Sequence, residues 1–138
     1  MKRNLIGTLS LVVVSLLLNV NGAYAQSIEQ ANVPFAFHVG SSQLPAGRYT
    51  IRVEHLNGLA TIRNSATSAT VLLLGQPESG SKSGKLVFQR FGNRYFLNQI
   101  WGEEGSMGLR FRAPRAEIKL EIASEPSPSP KQVEIALK

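Results

Sequence analysis

A single mainly-β domain, an antiparallel β-sandwich or partly open barrel, is the fold this sequence predicts. Three observations carry that prediction. Short segments alternate apolar and polar side chains with a period of two. Gly-, Asn- and Pro-containing turn signals separate them. After the N-terminal segment, only one stretch competes seriously as a short helix.

The chain has 138 residues. Met1-Lys2-Arg3 is a positive start, and Leu5 to Val20 is an uncharged apolar run. Ala23-Tyr24-Ala25 has the small-x-small pattern of a cleavage site. Residues 1–25 therefore read as a secretory signal peptide, helical in its apolar part, and Gln26 as the mature N-terminus. The alternative is an uncleaved anchor. A spanning helix wants about 20 mostly apolar residues, and Asn21-Gly22 interrupts this run early. The expectation is an exported protein, periplasmic or extracellular, with no transmembrane segment after cleavage. The remaining length suits one core.

The elements follow in order. Gln26 to Asn32 is a polar lead with at most one helical turn. Val33, Phe35, Phe37 and Val39 share one face of a strand, and Pro34 lacks the N–H for an interior ladder position. A loop at 40–43 precedes Leu44-Pro45-Ala46-Gly47, whose Pro and Gly suit a type I turn. From Arg48 to Glu54, Tyr49, Ile51 and Val53 point inward. Asn57-Gly58 predicts a two-residue type I′ hairpin, which pairs Val53 with Ile62 and His55 with Ala60. Thr70 to Leu74 is a strand, and 75–84 is a mobile Gly/Ser loop. Lys85 to Phe91 and Arg94 to Trp101 form a second hairpin. An odd loop with Asn93 left-handed gathers Leu86, Phe88, Phe96 and Ile100 on one core face. Gly108 to Phe111 is a short strand.

Residues 114–123 read either way. Ile118, Leu120 and Ile122 alternate, yet Pro114 suits a first helical turn. The β domain is thus 26–123, followed by a stiff Pro/Ser-rich spacer over 124–131 and a candidate strand at 132–138. That last strand closes its own sheet by default. Donation to another chain is the alternative.

Composition excludes several chemistries. There is no Cys, hence no disulfide framework, Cys-ligated metal, thiol nucleophile or lipidated Cys. All nine acidic residues are Glu. After residue 25, thirteen Lys and Arg face these nine Glu, or +4.

Val33-Pro34-Phe35-Ala36-Phe37-His38-Val39-Gly40 and Leu44-Pro45-Ala46-Gly47-Arg48-Tyr49 resemble a family of small secreted proteins, chiefly acidobacterial. The stretch from Lys85 to Trp101 is also similar to that family. The resemblance implies secretion and transfers no activity and no catalytic residue. The Leu-Pro-Ala-Gly-x-Tyr piece resembles turn-to-strand segments of β-sandwich modules such as carboxypeptidase regulatory-like domains.

No catalytic constellation emerges. His38 and His55 fall on different strands with no Asp to orient them, so a surface His38 and a rim His55 on the Val53/Ile62 face are expected. Glu103-Glu104 reads as a solvated loop, because paired catalytic carboxylates flank a bond. No Ser has an evident base. Neither metal nor cofactor is expected. The candidate binding residues are Phe91, Tyr95 and Trp101, on the face opposite the proposed core, with Arg90 and Arg94 beside them. Such a surface suits a glycan or an envelope protein; export argues against nucleic acid. Burial of these aromatics under a second layer is the alternative. The expected function is a non-enzymatic binding or structural module, against an enzyme or enzyme inhibitor with a concealed site.

Overall fold

The computed structural model describes residues 27–80, 83–102, 107–115, 119 and 130–138. The expected signal peptide and Glu103-Glu104 lie outside them, as do most of 114–123 and of the spacer. The described residues are mainly β, in two sheets packed face to face.

Sheet A contains β1 (Ser27–Val33), β4 (Gly47–Glu54), β5 (Leu59–Asn64) and β6 (Thr70–Leu74), in the order β1-β4-β5-β6. Sheet B follows the order β11-β8-β9-β10-β7. Its strands are β7 (Gln76–Ser79), β8 (Lys85–Phe91), β9 (Arg94–Trp101), β10 (Met107–Arg110) and β11 (Lys131–Ala136). The small hairpin β2 (Phe37–Val39) and β3 (Ser42–Leu44) joins sheet B where His38 lies parallel to Phe96.

Between the sheets, Ala31, Val33, Tyr49, Ile51, Val53, Ala60 and Ile62 of sheet A meet Phe37, Leu86, Phe88, Leu97, Ile100 and Leu109 of sheet B. All are buried, and burial of apolar area at about 25 cal/mol per Å² drives the two layers together. The inward alternation of Tyr49, Ile51 and Val53 is as expected.

The chain crosses between the sheets at Pro34, at the Pro45-Ala46 turn between β3 and β4, and at Gly75, and its C-terminus bridges them. At Pro34 the β1 ladder stops, because Pro has no N–H to donate, and β2 begins in the other sheet. Val33, Phe37 and Val39 are nevertheless all buried and Phe35 is half-buried, but on two strands of different sheets rather than along the one expected strand. At Gly75 the chain turns from β6 into β7. A Cβ there would lie 2.7 Å from the Phe111 ring and 3.0 Å from Leu109 Cβ, so only glycine passes this corner unstrained. At the C-terminus, Leu137 is buried and Lys138 exchanges both backbone hydrogen bonds with Gln30 of β1, at 2.9 and 3.0 Å. β11 pairs with β8 of its own chain. The tail therefore closes its own sheet, and its last residue ties sheet B to sheet A.

Several expectations are corrected. The polar lead is strand β1, held by a seven-residue ladder to β4 rather than by its own propensity. Part of the 75–84 loop is β7, paired with β10. The Asn57-Gly58 hairpin has a four-residue loop, with Glu54 opposite Leu59 and Val53 opposite Ala60. Only Gly58 takes positive φ (63°), whereas a type I′ turn needs two such residues.

The β8–β9 loop has two residues, not an odd number: Phe91 lies opposite Arg94. Gly92 carries the positive φ (55°) and Asn93 does not, as a type II′ turn requires. The mixed faces this register implies are resolved by a bulge. Phe88 opposes Leu97 but Val87 opposes Gln99, so Asn98 is the extra residue. Its carbonyl accepts from Phe111 N at 2.7 Å. Beyond the bulge the parity of β9 flips. Leu97 and Ile100 face the core, while Phe96 and Trp101 face away from it.

Candidate functional site

The five sequence-predicted binding residues do not form one exposed platform. Phe91 and Trp101 are on the face away from the core, as expected, but both are buried there with Val87 and Phe96. Phe91 meets Phe96 edge-to-face with centroids 5.9 Å apart. The His38 ring stacks on Phe96 at 5.0 Å, so His38 is half-buried rather than a surface residue. Tyr95 is on the opposite side from Phe91, against the two-sheet core. Its ring stacks on Phe35 at 3.8 Å, and the Arg90 guanidinium sits 5.5 Å from its centroid. Arg90 Nε also donates to the Gly92 carbonyl at 2.8 Å. Arg94 is exposed at the hairpin tip.

Trp101 anchors a polar chain across β9, β10 and β7. Its indole Nε1 donates to Gln99 Oε1 at 3.1 Å, and Gln99 Nε2 donates to Glu78 Oε2 at 3.0 Å. Arg110 Nε donates to the same oxygen at 2.9 Å, and its Nη2 pairs with Glu78 Oε1. Beneath the indole is Gly108; a Cβ there would fall 2.5 Å from the ring. These groups line a shallow hollow of about 350 Å³. Their hydrogen-bonding capacity is largely spent on one another, which suits a structural brace better than a ligand site.

Two other shallow hollows lie at the seam of β1 with the C-terminus and beside the Pro45 and Asn64 turns. Neither histidine lines any of the three. His55 is not on the Val53/Ile62 face but in the β4–β5 loop, with Nδ1 buried and unbonded. Among the described residues no three His, Cys, Asp or Glu cluster as metal ligands. No helix among them is long and apolar enough to cross a membrane.

The outer face of sheet A is different. Its side chains form four cross-strand rows. Glu54, Leu59 and Leu74 make the row nearest the β4–β5 loop. Ile28, Arg52, Thr61 and Leu72 make the next. Gln30, Thr50, Arg63 and Thr70 follow, and Asn32 with Arg48 is last. Leu74 is 79% exposed, Leu72 65% and Ile28 56%; Leu56, in the adjoining loop, is 87% exposed. Arg48, Arg52 and Arg63 are exposed and form no ion pair among the described residues.

Sequence reasoning missed these aliphatic residues. The signal was present: Thr70 to Leu74 has apolar residues on both faces, and it pairs through β5 with the polar outward face of β4. Val71 and Leu73 pack against the core, which leaves Leu72 and Leu74 in water.

No family model matches the chain, and no curated protein or solved structure matches it.

Proposed function

We propose that this is an exported, non-enzymatic binding module of the periplasm or cell surface, and that it binds through the outer face of sheet A. The export part rests on the Met1–Ala25 pattern. The binding part rests on one observation: four large aliphatic side chains stand more than half exposed on or beside one sheet face, flanked by three arginines. Single exposed leucines are ordinary, whereas a group of them on one surface marks a contact site. The burial of Phe91 and Trp101 makes them poor platforms for a sugar ring.

The test is retention on isolated bacterial envelope. Protein expressed from the full chain, with its N-terminus identified by mass spectrometry, should be retained, and mass loss should correspond to residues 1–25. Leu72→Glu with Leu74→Glu should lower retention about tenfold or more, since each exposed leucine buried in a contact is worth about 1.5 kcal/mol or more. The melting temperature should hardly move, because both side chains point to solvent. Undiminished retention of the double variant would remove this face from the function.

A further inference from the structure

We infer that the occupant of this face is an anionic bilayer surface, entered by the β4–β5 loop end with the arginines behind it at headgroup level. This rests on the proposed binding role of the same face.

The order of residues along the strands carries the inference. Successive rows are two residues apart, about 7 Å. Leu56 leads, the Leu59/Leu74 row follows, and Leu72 and Arg52 share the next. Arg63 is about 13 Å and Arg48 about 20 Å behind the Leu59 row. The face is thus graded, aliphatic at one end and cationic towards the other. A protein contact places its apolar residues centrally within a polar rim. A peripheral membrane element instead sinks its apolar part about 5–10 Å into the headgroup boundary and holds its basic side chains at the phosphates. Leu56 and Leu74 fall within the first depth, the row shared by Leu72 and Arg52 lies at its boundary, and Arg63 lies behind it at the headgroups.

Charge points the same way. The three arginines of the face have no carboxylate partner among the described residues and so retain their full charge for phosphates. Glu54 is the carboxylate of the leading row. Its Oε2 accepts from Asn57 Nδ2 at 3.4 Å, and the anion opposes an anionic surface.

The experiment is co-sedimentation with vesicles of phosphatidylglycerol and phosphatidylethanolamine, against phosphatidylcholine alone. All variants are made in the full chain and share one N-terminus, so the comparison isolates the face. The expected result is binding to the anionic vesicles, about twenty-five-fold weaker on phosphatidylcholine. Leu56→Ser with Leu74→Ser should cost about tenfold or more on both lipids. Arg52→Gln with Arg63→Gln should abolish the anionic preference, at roughly fivefold per arginine, and about 0.5 M salt should do the same to the unmodified protein. Glu54→Gln should bind more tightly. Equal sedimentation of all variants, or none of the unmodified protein, would overturn the inference. If lipid vesicles fail while envelope retention still depends on Leu72 and Leu74, a protein partner holds the face. If envelope retention ignores those leucines, the binding role itself falls.

Discussion

Each sheet has a face turned away from the shared core, and the two faces are built oppositely. On sheet B that face carries Val87, Phe91, Phe96 and Trp101, all buried, with the Trp101 N–H committed to Gln99. On sheet A it carries Leu72, Leu74 and Ile28, all largely in water, beside arginines that form no ion pair among the described residues. Apolar residues on an outward face are therefore not one kind of signal. The aromatic group looks more like a ligand platform in sequence, yet it is consumed by packing. The aliphatic group is inconspicuous and remains available.

Truncation separates the two faces most sharply. Trp101→Ala or Phe96→Ala removes a buried aromatic and should cost about 3–5 kcal/mol. Leu74→Ala should change stability by no more than about 0.5 kcal/mol. Chemical denaturation of the three variants measures both. A Trp101 variant as stable as the parent would mean that the far face of sheet B is not a second apolar layer.

The legible parts of the fold are those where one face decides. Tyr49, Ile51 and Val53 alternate cleanly because β4 has water on one side and core on the other. Less legible are features fixed by partners distant in sequence. Ser27 to Val33 is polar at most positions and becomes a strand only through β4 and Lys138. Gln76 to Ser79 contains a Pro and is a strand because β10 pairs with it. The bulge at Asn98 has no local signature. Without it, clean alternation wrongly assigns Phe96 to the core and Tyr95 to the surface. The candidate site was missed for a related reason. Exposure of Leu72 and Leu74 follows from the polar outward residues of β4, which are neighbours only after β5 is placed between them.

The interior between the two faces gives a smaller effect with a pH signature. Tyr49 is buried, donates its hydroxyl hydrogen to the Pro45 carbonyl, and lies opposite Asn64, whose Oδ1 accepts from Ala66 N at 2.8 Å and Thr67 N at 3.1 Å. Burial pushes the Tyr49 phenol above its ordinary 10.0, more than the Asn64 hydrogen bond lowers it. The unfolded chain therefore loses this proton first. The stabilisation is fully present below about pH 10 and is lost as pH rises through the folded-state value. Tyr49→Phe should cost about 1 kcal/mol at neutral pH. The gap between parent and variant should narrow above pH 10 in parallel melts. A constant gap would show that the phenol ionises alike in both states.

The smallest effect belongs at the margin of the covered face, where sheet B meets water. Lys85 Nζ donates to Glu134 Oε1 at 3.0 Å, linking β8 to β11, and Gln132 Nε2 donates to the same oxygen at 2.8 Å. The Lys85 hydrogen bond, then that from Gln132, holds the Glu134 carboxyl below its ordinary 4.5. A depressed folded-state value means the contribution is present above about pH 4.5 and fades as pH falls through the lower folded value. Both side chains are substantially solvated, so Glu134→Gln should cost under about 1 kcal/mol at pH 7, with less difference from the parent at pH 3 or in high salt. A loss of several kcal/mol would mean that β11 is held chiefly by this pair. A small loss would assign closure of the sheet to the buried contacts of Leu137 and the backbone exchange between Lys138 and Gln30, the same kind of apolar and ladder forces that keep Trp101 covered.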